Sequence, residues 1–83
     1  MKITYDREAD AAYIQLAAEI GAGGVAKTYP CDPIEAGMIN LDFDSNGHLI
    51  GVEVLGARSV LPAELLSQVL EPHARDVEST EHE

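Results

Sequence analysis

The segment from Ile39 to Leu55 constrains this chain more than any other. Ile39-Asn40-Leu41-Asp42-Phe43-Asp44 alternates apolar and polar residues, and a second apolar run, Leu49 to Leu55, follows Ser45-Asn46-Gly47-His48. A period of two sends successive side chains to opposite faces of a strand, so the two runs read as an antiparallel hairpin. Asn46-Gly47 suits a two-residue type I′ turn, because both residues tolerate positive φ. That turn sets Phe43 opposite Ile50, Leu41 opposite Val52 and Ile39 opposite Val54, and leaves Asn40, Asp42, Asp44 and Glu53 on the other face. A slip by one residue would turn the apolar set out of the core, which a buried face penalises strongly.

The rest of the chain supplies partners for this hairpin. Lys2 to Tyr5 alternates with Ile3 and Tyr5 on one face, as a first strand, and Asp6 to Asp10 reads as its turn. Ala11 to Ala18 is read as a second strand with Ile14 and Leu16 inward. Gly21-Ala22-Gly23-Gly24 interrupts regular structure before a third strand from Val25 to Tyr29. Pro30 and Pro33 lack backbone donors, so Pro30 to Gly37 reads as a loop, placed to cover one edge of the sheet. Beyond Gly56, Pro62 fits the first turn of a helix in which Leu61, Leu65, Leu66, Val69 and Leu70 form an apolar stripe. The expected architecture is α+β: a small antiparallel β-meander of about five strands covered by one C-terminal α-helix. That single domain occupies residues 1–70, and residues 71–83 form an acidic, flexible tail.

Composition bounds what such a domain can do. At 83 residues the chain supports one core, and the 46% hydrophobic share includes many alanines, which bury little area. Tyr5, Tyr13, Tyr29 and Phe43 are the only aromatic residues, so the core is thin and a homo-oligomer is expected. Fifteen acidic and five basic residues give a formal net charge of −10, which repels nucleic-acid phosphates and suits a small basic protein as partner. Five acids and one base lie from Glu71 onward, leaving ten against four in the body, so the acidity belongs to the domain as well as the tail. Cys31 is the single cysteine, and the opening Met1-Lys2-Ile3-Thr4-Tyr5-Asp6 lacks the apolar run of a secretory leader. A cytoplasmic location, with no membrane span, is the expectation.

Several groups invite chemical readings. Asp42-x-Asp44-x-Asn46-Gly47 followed by Glu53 satisfies the pattern of a twelve-residue calcium loop, with Asp42, Asp44, Asn46 and Glu53 as the metal ligands. Such a loop needs helices on both sides, whereas these flanks alternate like strands, and a hairpin sets Glu53 far along the ladder from its turn. Asp6, Glu8 and Asp10 are read as solvated or capping carboxylates of a turn. Cys31 has no histidine near it in sequence, and His73 and His82 lie in or beside the tail. Gly21 to Gly24 lacks the Lys and Ser/Thr of a phosphate-binding loop. No nucleophile, base and orienting group line up together, so neither catalysis nor a cofactor is expected.

Tyr5-Asp6 with Glu8-Ala9-Asp10, then Leu41-Asp42-Phe43-Asp44, then Gly47 with Ile50-Gly51-Val52-Glu53-Val54-Leu55, together resemble the bacterial family called Domain of Unknown Function 2283. The likeness extends over roughly Met1 to Leu70, with Gly21 to Gly24 and the loop through Pro33 as departures. The resemblance implies a small, mostly β domain without assigned catalytic residues, and pairing with small toxin-like ribonucleases as an antitoxin. Two functions follow as expectations. The first is a non-catalytic interaction module, with Asp42, Asp44 and Glu53 as an electrostatic face and Leu65 and Val69 as apolar anchors. The second is a calcium- or other metal-binding domain built on Asp42 to Glu53.

Overall fold

The computed structural model describes residues 1–69. Five strands form one antiparallel sheet: β1 (Lys2–Asp6), β2 (Ala11–Gln15), β3 (Lys27–Pro30), β4 (Met38–Phe43) and β5 (Leu49–Leu55). Two short helices follow, α1 (Ala57–Val60) and α2 (Ala63–Val69). The α+β class therefore holds, with two corrections of detail. The spatial order is β1-β2-β5-β4-β3, so the sheet is a β3-β4-β5 meander with the β1-β2 hairpin added beside β5. The single expected helix is divided at Leu61-Pro62, where Pro62 can offer no N–H to a continuing helix, and its carbonyl accepts the Leu65 and Leu66 amides instead. Leu70, which closes the expected apolar stripe, and the tail from Glu71 to Glu83 lie outside the described residues.

The β4–β5 hairpin pairs as its alternation dictates, with Leu41 opposite Val52 and Ile39 opposite Val54. Its turn differs. Phe43 pairs with Leu49 rather than Ile50, and Asp44 N–H bonds the His48 carbonyl, closing a three-residue loop of Ser45, Asn46 and Gly47. Gly47 alone takes positive φ (85°), while Asp44 Oδ1 accepts the Asn46 and His48 amides at 2.9 Å each. An Asp at the first turn position and a Gly at the fourth favour a type I turn followed by a left-handed residue over type I′. The register then steps by one between Asp42 and Phe43, leaving Ile50 bulged and restoring the expected pairing beyond it. The Ile50 carbonyl accepts both Leu16 and Ala17 N–H, so the bulge also ties down the end of β2.

Opposed pairs share a face, so Tyr5, Ala12, Val54 and Ile39 lie on one side, as do Ile3, Ile14, Val52 and Leu41. Ile3, Tyr5, Ala12 and Val54 are buried there with Ala57 and Val69, and Leu61, Leu65 and Leu66 pack against them. Each fully buried aliphatic side chain contributes about 1.5–3 kcal/mol. Leu16, expected inward, is 42% exposed, because β2 ends at Gln15 and the chain turns away at the bulge. The third strand begins two residues late and takes in Pro30, which an edge strand tolerates since no neighbour needs its missing donor. The following loop closes with an Ile34–Gly37 bridge seated against Leu55 and Gly56, at the end of β5 rather than along an edge.

The β1–β2 turn is built as a latch. Asp6 Oδ1 accepts the Glu8 and Ala9 amides, and Asp10 follows in the left-handed region at φ 54°. Asp10 Oδ1 accepts the Tyr5 hydroxyl at 2.8 Å and the Arg58 amide at 2.9 Å, while its carbonyl accepts the Gly56 and Ala57 amides. Gly56 has no side chain with which to cap α1, and Asp10 supplies the missing acceptor from across the fold. These bonds, the Arg58 amide first, hold the Asp10 carboxyl below its ordinary value. The acidic turn is a structural joint.

Candidate functional site

Among the described residues, both helices pack on one side of the sheet, and most polar side chains of the strands stand on the other, Lys27 being an exception beside Tyr29. The register sets Thr4, Tyr13, Glu53 and Asn40 in one row across that open face, and Gln15, Gly51, Asp42 and Thr28 in the next. Tyr13 reaches diagonally over Gly51, where an added Cβ would lie 2.8 Å from ring atom Cε2 and overlap Cζ and the hydroxyl. The glycine is therefore the seat of the tyrosine ring. From it the Tyr13 hydroxyl donates to Asp42 Oδ2 at 2.7 Å, and the Thr28 hydroxyl donates to Asp42 Oδ1 at 2.7 Å. Asn40 Nδ2 donates to Glu53 Oε1 at 2.9 Å.

Burial, the bond to Asp42 and the charges of Asp42 and Glu53 push the Tyr13 phenol up to about 12. At neutral pH Tyr13 is thus a fixed, uncharged donor, unsuited to act as base or nucleophile. Asp42 and Glu53 are oriented on the open face by neutral donors. A groove of about 350 Å³ beside them is lined by Thr4, Asp6, Ala11, Tyr13 and Glu53, among others.

The four residues of the calcium pattern are not brought around one point. Asp44 is turned into its own hairpin loop, where the His48 and Asn46 amides hold its carboxyl low, and Asp42 and Glu53 are engaged by separate donors. Among the described residues no three His, Cys, Asp or Glu side chains gather as metal ligands. The expected electrostatic face reduces to Asp42 and Glu53, without Asp44. Of the two apolar anchors, Val69 is 1% exposed in the core, and Leu65, partly buried, packs against that core. Cys31 is a partly buried free thiol. Sequence reasoning missed Tyr13, Thr28, Asn40 and Gly51. The available signal was a glycine interrupting an apolar strand, which marks a close approach by another group.

A family model described as a protein of unknown function, DUF2283, matches residues 2–58. The chain belongs to that family. The match ends at Arg58, so it takes in the sheet, the Asp10 latch and the first residues of α1, and leaves α2 outside. Several polar residues and a glycine inside the matched DUF2283 segment form two groups in this fold. Tyr5, Asp6 and Asp10 build the latch, and Asp42, Gly51 and Glu53 build the open face. No curated protein and no solved structure matches the chain. Among the described residues, no helix is long and apolar enough to cross a membrane.

Proposed function

We propose that this protein is a non-catalytic interaction module that meets a basic protein with the open face of its sheet, as an antitoxin masks the cleft of a small basic ribonuclease toxin. One observation carries the reading. Asp42 and Glu53 are held in place by Tyr13, Thr28 and Asn40, which fix the carboxylates without neutralising them. Preoriented charge of this kind lowers the ordering cost of binding a guanidinium or ammonium group. The net charge of −10 would draw such a partner in and raise its association rate. Tyr13 adds an aromatic surface at the centre of the patch, a residue type enriched where binding energy concentrates.

The test begins with native mass spectrometry of the protein recovered gently from its own host, which gives the mass and stoichiometry of any companion. A stoichiometric small basic protein supports the reading. Its association is then timed against Asp42→Asn and Glu53→Gln, which remove charge while keeping shape. The expected result is association slowed on the order of tenfold at low salt, with the difference shrinking as salt screens the charges. A chain recovered without a protein companion, or one whose partner ignores both substitutions, overturns the proposal.

A further inference from the structure

Basic side chains are scarce in this chain, and half of those in its body gather at one place. Against ten acids, the residues before Glu71 include four bases, and two of these, Arg7 and Arg58, line an open groove of about 450 Å³. Tyr5 of β1 and Ala63, Leu66 and Ser67 of α2 complete the lining, which therefore holds two guanidinium groups, apolar surface and no acid. Both arginines are exposed, the Arg58 side chain to 64%, and its Nε lies 3.9 Å from Asp10 Oδ1. That oxygen already accepts the Tyr5 hydroxyl and the Arg58 amide, so the contact leaves the guanidinium largely in solvent. Tyr5 belongs to the helix-side face, which sets the groove on the other side of the sheet from Asp42 and Glu53.

We infer that this groove receives residues 70–83 of the same chain, held by their carboxylates on Arg7 and Arg58. Five acids against one Arg give that segment a formal charge of −4 with His neutral, the complement of the two guanidiniums. Reach permits the contact. The described chain ends at Val69, on the helix whose Ala63, Leu66 and Ser67 form one wall of the groove. Val69 stands about 9 Å from Ala63 along the helix axis, whereas fourteen extended residues span up to roughly 46 Å. Charge then selects the chain's own segment over other acids. A separate acidic peptide, or the same segment of a second copy, approaches a protein of net charge −10 and is repelled. The tethered segment is already in place, at an effective concentration of millimolar order. Once docked, it ties the end of α2 to the β1–β2 turn beside the Asp10 latch. The contact lies away from Asp42 and Glu53, so it stands or falls independently of the basic partner proposed above.

Paramagnetic relaxation in the full chain tests the inference. A nitroxide is attached at Ser79→Cys in a Cys31→Ser background, and the nitrogen-15 amide signals are read at low salt. The expected result is loss of the signals of Arg7, Arg58 and Ser67, while those of β3, on the far edge of the sheet, persist. Arg7→Gln together with Arg58→Gln restores the signals at these three positions, and so does about 1 M salt. Asp76→Asn with Glu78→Gln does the same with both arginines intact. The two arginines are exposed, and circular dichroism verifies that each variant is folded. Groove signals that survive in the nitroxide-bearing chain, or losses that neither pair of substitutions relieves, overturn the inference. So does broadening passed from nitroxide-bearing chains to nitrogen-15 chains without nitroxide, which would assign the groove to the segment of a second copy.

Discussion

Replacing Gly51 by alanine tests whether the open face is built as described. The new Cβ would occupy the space of the Tyr13 hydroxyl and Cζ, so the ring must swing out and release Asp42. A hydrogen bond to a charged acceptor contributes about 1.5–3 kcal/mol, and the partly exposed setting of this one places it near the lower end. Lost contact between ring and sheet adds about 0.5–1 kcal/mol. Against this, alanine in extended backbone reduces the entropy of the unfolded chain and returns about 0.4–1 kcal/mol. The net expectation is destabilisation by about 1–2 kcal/mol, or a fall in Tm of about 5–10 °C for a domain of this size. In a Tyr13→Ala background the obstacle is gone, and the same glycine substitution should stabilise by about 0.4–1 kcal/mol. Urea unfolding of the four proteins, with m unchanged, measures that reversal of sign as a coupling of about 2 kcal/mol. A Gly51→Ala variant as stable as the wild type, or equal effects in the two backgrounds, would refute the seat of Tyr13 over Gly51.

The remaining predictions concern pH. Tyr13, raised from 10.0 to about 12 in the folded protein, holds its proton more tightly than in the unfolded chain. Its contribution is therefore complete below pH 10 and lost as pH rises towards 12; Asp42→Asn should bring the Tyr13 titration down, read from tyrosinate absorbance. Asp10 and Asp44 are lowered from 3.8, so the unfolded chain binds protons there first as pH falls. Their stabilisation is present above that value and lost as pH drops through the folded one. Asp10→Asn should lower stability at pH 7 and flatten the acid limb of a stability–pH profile, and an unchanged acid limb would contradict the latch.

Several elements were legible in the residues themselves. The pairing of Leu41 with Val52 and Ile39 with Val54 follows from alternation, which survives the bulge because burial of one face restores the register after a turn of different length. The turn itself was legible too, but in Asp44 and Gly47 rather than in Asn46-Gly47, since the Asp44 carboxylate anchors a type I geometry. The exposure of Leu16 was not legible, whereas Val69 was legible as part of the apolar stripe covering the sheet but not as the most buried described residue of that stripe. Both depend on what packs against them: the end of β2 at the Ile50 bulge in one case, and the inner face of β1 in the other.

The amino-acid sequence by itself determined the hairpin, the inward faces of its two strands and of the first strand, and the acidity of the domain, because periodicity, turn chemistry and charge are properties of neighbouring residues. The tertiary structure alone decided that β2 lies beside β5 rather than beside β3. That placement joins Asp10 to Arg58 across 48 residues and Tyr13 to Asp42 across 29. No local pattern encodes those separations. They arise because the β1–β2 hairpin must bury Ala12 and Ile14 on the same face as Val54 and Val52, and in doing so it carries Tyr13 over Gly51 on the other.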